Sequence, residues 1–187
     1  AALLGHKCPA IQKAVKDSYK YGFSAEFDSL TTIECARAIT EVIPCAERIR
    51  FANSGSESTL LSMRLARGYT GKDIVVRIDG HFHGNHDYVL FNNLAHRIDH
   101  LNRGRGRSQT VHVSAGVPMA VEQTVILIPW NDVDAFKKVI VEDGDNIAAI
   151  MMNPIDYNNG CMTTTAEYLR EVNDIAHENN ILVIYDE

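Results

Sequence analysis

Three short stretches of this chain carry side chains whose types and spacing could do chemistry. The first is Ser54-Gly55-Ser56, within "RFANSGSESTLL", where an apolar approach hands over to a helix-like stretch. A helix start leaves N–H groups unpaired and carries the positive end of the helix dipole. Glycine lets a ligand approach the backbone closely and the serines add hydroxyls, which together suit a phosphate. The stretch is neither a G-x-G-x-x-G fingerprint nor a Walker loop. Taken alone it reads first as a helix cap and second as an anion seat.

The second stretch is "GHFHGNHD", residues 80–87. His81, His83 and His86 raise a metal reading, but their spacing does not force the rings into one compact ligand set. Gly80 and Gly84 point instead to a tight turn displaying Phe82 and His83 at a strand end, where an aromatic ring can stack on a flat ligand. The equal alternative puts Phe82 in the core and the histidines on the surface. The third is Asp186, delivered to a sheet rim by the apolar run "ILVIYDE". A charge there is costly unless paired, and a protonated ring nitrogen or an arginine would pair it. Glu187 follows and is read as structural. A phosphate seat, a platform for a flat ring and a partner for a ring nitrogen together describe pyridoxal 5'-phosphate (PLP).

These positions make sense only if strands and helices alternate around them. The runs 73–79, 124–129, 147–152 and 181–186 are continuously apolar, as expected of strands buried on both faces. A further short strand is expected at 48–52. Helical spacing marks 10–21, 32–42, 56–68, 132–141 and 165–179, with Pro9 in a first turn, Asp132 as one cap and Thr163 to Thr165 as another. Such alternation builds an α/β fold, a mostly parallel sheet flanked by helices, and ligands gather at the carboxyl ends of its strands. The long irregular segment 83–123 has the length of a functional excursion.

The charge balance of 18 basic against 24 acidic residues argues against nucleic acid or an anionic membrane as the main partner. The basic stretch 97–107 is interrupted by Gly104 and Gly106 and reads as a solvated loop. Four cysteines without a C-x-x-C pair suit a reducing cytosol, and the expected location is cytoplasmic. No apolar run approaches the ~18–20 residues of a membrane span. The opening at Ala1 and the closing strand suggest part of a longer chain, with an unfinished sheet of poor stability by itself.

The order of landmarks resembles the class III PLP-dependent aminotransferases of fold type I, and most closely the glutamate-1-semialdehyde aminomutase branch. The resemblance rests on "LLGHKCPAIQKAV", "RIRFANSGSESTLLSMRLARGYTGKDIVVRIDGHFHG", "SAGVP", "VILIPWND" and "VIYDE" in sequence. It implies that residues 1–45 lead into a large PLP-binding domain, of which 46–187 form an incomplete part. It implies that Ser54, Gly55 and Ser56 hold the cofactor phosphate, that Phe82 stacks on the pyridine ring with His83 nearby, and that Asp186 pairs with the ring nitrogen. Asn153 and Glu187 would stand behind these contacts.

The same resemblance implies an amino donor, a keto or aldehyde acceptor and a homodimer. The family's Schiff-base lysine lies beyond the Asp-Glu landmark, so residues 1–187 alone are expected to be inactive. At 153 the family generally has Glu before Pro, and here it is Asn153. The segment 21–31 also departs from the aminomutase pattern, leaving transfer between molecules and transfer within one molecule both open. Two other readings remain: a PLP-fold module without turnover that binds an anion or a partner chain, and a histidine-based metal protein.

Overall fold

The computed structural model describes residues 3–22, 27–92, 106–108 and 110–187. The basic stretch 97–107 therefore lies outside the described residues except for its last two positions, as do residues 23–26 of the segment 21–31. The chain divides into two compact units, Ala1–Phe51 and Ala52–Glu187.

The first unit contains α1 (Pro9–Ser18) and α2 (Leu30–Val42). Pro9 opens α1 where its missing N–H costs nothing. Ser29 caps α2 by accepting the Thr32 N–H at 3.1 Å, and the helix ends just before Pro44. The spacing of Ile11 and Val15 is helical as expected, yet both stay about half exposed and no described residue of this unit is buried. The strand expected at 48–52 does not form. The segment pairs with no strand among the described residues, and an apolar run without a neighbouring ladder has nothing to hold it extended.

The second unit is built on a four-stranded, all-parallel sheet. Its helix α3 (Gly55–Thr70) leads into β1 (Ile74–Ile78). A single turn, α4 (Met119–Glu122), precedes β2 (Val125–Ile128), and α5 (Val133–Asp143) leads to β3 (Ile147–Met152). A small antiparallel hairpin of β4 (Ile155–Asp156) and β5 (Met162–Thr163) follows. Then α6 (Ala166–Glu178) returns the chain to β6 (Leu182–Tyr185), giving the strand order β2-β1-β3-β6.

Alternation sorts the strand side chains onto two faces. Val76, Ile78, Ile126, Ile128, Ile150 and Met152 pack with Phe136 and Val139 of α5 and with Tyr168 and Val172 of α6. On the opposite face Val75, Ala149 and Met151 meet Met63 and Ala66 of α3. Each large apolar side chain buried in this way contributes about 1.5–3 kcal/mol relative to exposure. The expected caps form as well: Asp132 accepts the Ala135 N–H at 2.9 Å, and Thr165 accepts the Tyr168 N–H at 3.1 Å. Lys72 fastens the far end of the unit, donating to the main-chain oxygens of Gly144 and Asn179 beyond α5 and α6.

Candidate functional site

The parallel register brings the carboxyl ends of β1, β3 and β6 side by side, and the chain leaves them through Asp79, Asn153 and Asp186. The Asp186 N–H donates to the Met152 oxygen at 3.0 Å, so the sheet ladder itself fixes where this carboxylate starts. Among the described residues the carboxylate is paired with neither an arginine nor a lysine. Its Oδ2 instead lies 2.8 Å from Nδ1 of His83, while its other oxygen has no partner among those residues. The side chain remains about a quarter exposed, so this charge is both anchored and accessible.

His83 is fully buried at its side chain. Burial holds its pKa below the ordinary value, against the raising effect of the Asp186 hydrogen bond. A neutral ring facing a carboxylate through Nδ1 carries its proton there, so Nδ1–H donates to Asp186. The alternative that puts the histidines on the surface is thus overturned at His81 and His83, where the turn packs on the start of α3. Phe82, between them, is half-buried.

His81 makes the deeper layer. Its Nδ1 accepts the Asn153 N–H at 3.0 Å, which leaves the proton on Nε2, 3.8 Å from Oδ2 of buried Asp156. That separation is too long for a hydrogen bond. Burial, then His83 and Arg77, push the His81 pKa down to about 3, so the ring is neutral beside the carboxylate. Trp130 packs edge-on against it, with ring centroids 4.9 Å apart. Asn159 bridges Asp156 to the Gly80 oxygen, tying the β4–β5 hairpin to the turn.

The start of α3 closes the other side. Ser54 accepts the Glu57 N–H at 3.2 Å, and Glu57 reaches back to accept the Asn53 N–H at 2.6 Å. This is close to the reciprocal Ser-x-x-Glu capping arrangement, and its signature is present in the sequence at Ser54 and Glu57. Capping does not exhaust the helix end. The N–H groups of Gly55 and Ser56 have no acceptor among the described residues, and the space where a Gly55 Cβ would stand is open to 4 Å.

Gly84 joins the two sides. It packs so tightly on α3 that a Cβ there would come within 2.8 Å of the Ser56 Cα, and its φ is +107°. The Asn85 N–H donates to the Ser56 hydroxyl at 3.1 Å. Thr59 donates to the His83 oxygen at 2.8 Å. With its one hydrogen so placed, Thr59 accepts from His86 Nε2 at 3.1 Å. Burial leads in lowering the pKa of His86 to about 4. The three histidine rings are therefore spent on different partners. Among the described residues no group of three or more His, Cys, Asp or Glu is placed to hold a metal ion.

Arg77 escaped the sequence reading altogether. It is wholly buried in β1 and donates to the main-chain oxygens of His81 and Phe91 at 3.1 and 3.4 Å. Burial lowers its pKa to about 9, against the opposing pull of Asp79. A lone cation inside "IVVRI" was the available signal: in a strand covered on both faces, a charge has no solvent side to occupy. Thr59, Asp156 and Asn159 carried no comparable signal.

Comparison with known proteins bears on the family and the fold. The sequence profile of the family described as "Aminotransferase class-III" matches residues 1–187. A glutamate-1-semialdehyde 2,1-aminomutase from Methanocaldococcus jannaschii is 40% identical over 185 residues, covering 99% of this chain and 41% of that protein. An omega-transaminase from Sphaerobacter thermophilus superposes with a TM-score of 0.86 at 26% identity, over 95% of this chain and 40% of its own. A transaminase with PLP bound, at 24% identity and a TM-score of 0.82, shares the fold over 95% of this chain and 39% of its own. The chain thus spans about two fifths of the length of these relatives. Its sheet and flanking helices are those of fold type I, and with the profile matched from end to end the chain belongs to the class-III aminotransferase family.

Proposed function

We propose that residues 46–187 form part of the PLP-binding large domain of an amino-group transfer enzyme, with residues 1–45 leading into it. The observation that carries this reading is one contiguous arrangement. Unpaired Gly55 and Ser56 amides at a helix start are packed, through Gly84 and Thr59, against the turn whose His83 donates to a partly exposed Asp186. The donor set fits PLP: amides for a dianion, a half-buried aromatic in the intervening turn, and a carboxylate with one oxygen to spare.

In this reading the Gly55 and Ser56 N–H groups bind the phosphate. The Ser54 hydroxyl, already an acceptor for Glu57, retains a proton to donate. Phe82 lies against the ring. Asp186 holds a proton at the ring nitrogen, and His83 fixes the orientation of the carboxylate by occupying its other oxygen. When bound, PLP supplies the electron sink for bond cleavage at the amine-bearing carbon of the substrate. The substrates are a small-molecule amino donor and a keto or aldehyde acceptor, and the whole protein is a homodimer. The aminomutase relative favours movement of the amino group within one molecule. A module without turnover is favoured by Asn153 in place of the family glutamate and disfavoured by the joint presence of Ser54 to Ser56, Phe82 and Asp186.

The test is fluorescence titration of PLP into the full-length protein and its Asp186→Ala and Asp186→Asn variants. Both variants are expected to bind roughly 10- to 100-fold more weakly, the loss of one hydrogen bond to a charged group. Unchanged affinity in the two variants would remove Asp186 from the cofactor.

A further inference from the structure

Asn153 leaves β3 next to the site and is 3% exposed. Its Nδ2 donates to the main-chain oxygen of Asp186 at 2.7 Å, and its own N–H donates to Nδ1 of His81 at 3.0 Å. Asp186 is thereby held at three points: its N–H by Met152, its oxygen by Asn153 and its carboxylate by His83. The first is ladder geometry that any residue would share, whereas the second requires a donor at 153.

We propose that Asn153 is the positioning residue that sets the Asp186 carboxylate against His83, and that beside His81 and Asp156 a carboxylate at this place is incompatible with the arrangement. The reasoning is one of donors and charge. A carboxylate has no proton for the Asp186 oxygen, so an attraction at 2.7 Å becomes a contact between two acceptors. It also adds a negative charge beside Asp186 and three residues before buried Asp156, and no lysine or arginine among the described residues forms an ion pair with either. Asp186 belongs to the landmarks shared with the resembled family, so the glutamate generally found here in that family needs different neighbours from the His81 and Asp156 of this chain. The proposal rests on the cofactor reading above, but its geometric part is measurable without cofactor.

The experiment uses full-length protein uniformly labelled with 15N, with Asn153→Asp as the near-isosteric variant that loses the donor. Without PLP, solvent exchange of the His83 Nδ1 proton is expected to be at least about tenfold faster in Asn153→Asp, and PLP affinity to fall by a similar factor. A folded Asn153→Asp protein with both quantities unchanged overturns the proposal. A faster His83 exchange in a protein that binds no PLP even when unaltered upholds the positioning and sinks only the cofactor reading. Should Asn153→Asp not fold, the unaltered protein decides. Slow exchange of the Asn153 carboxamide protons, in the class of the β3 and β6 amides, supports the bond to Asp186. Exchange as fast as that of an exposed asparagine overturns it.

Discussion

At the scale of single residues, His81 shows how burial turns a side chain into a pH sensor of stability. Its pKa is pushed from the ordinary 6.5 to about 3, by burial first and then by His83 and Arg77. The unfolded chain takes up a proton below about pH 6.5 that the folded chain refuses until about pH 3. The stabilisation is therefore complete above 6.5 and is lost as the pH falls towards 3, at up to ~1.4 kcal/mol per pH unit. His86, lowered to about 4, acts in the same direction over a narrower window. Replacing His81 by Gln, which keeps an acceptor for the Asn153 N–H, should reduce the slope of unfolding free energy between pH 4.5 and 6 by about 1 kcal/mol per unit. Urea melts across that range measure it, and an undiminished slope would mean that His81 is not the buried neutral ring described. Ser54 to Ser56 and Asp186 were legible in the sequence because element ends announce themselves through glycine, serine and a charge after an apolar run. His81 and Arg77 were not, because their meaning depends on what covers them, and a single sequence does not state that.

At the scale of elements, the four sheet strands and their helices were readable to within a few residues, since strands buried on both faces leave uninterrupted apolar runs such as "IAAIMM". The strand expected at 48–52 failed for the complementary reason: its apolar residues record a need for burial but do not name a ladder partner. The packing of the 80–87 turn on α3 was also invisible, although the glycine that permits it was noticed. Gly84 combines a positive φ with a contact that leaves no room for Cβ. Gly84→Ala should accordingly destabilise the fold by about 2–4 kcal/mol, through backbone strain and displacement of Ser56 together. Chemical denaturation checks the magnitude. A change within about 0.5 kcal/mol, the range of an ordinary surface substitution, would show that the turn and the helix start are not in contact.

At the scale of the whole molecule, the fold places three separated pieces of sequence around one rim: a helix start at 54–56, a turn after β1 and the end of β6. Parallel strands bring the turn after β1 and the end of β6 to one rim on either side of β3, and Gly84 and Thr59 fasten the helix start to that turn. What lay beyond reach was the exposure of the first unit, where the periodicity of Ile11 and Val15 gives a helix face yet both side chains stay about half exposed. Among the described residues no helix is long and apolar enough to cross a membrane. The convergence itself is open to one direct measurement, a crystal structure of the full-length protein with PLP. The expected result is a phosphate on the Gly55 and Ser56 amides and the pyridine nitrogen within about 2.6–3.0 Å of an Asp186 oxygen, with His83 still on the other. A cofactor seated elsewhere, or with Asp186 turned away from its ring nitrogen, would contradict it.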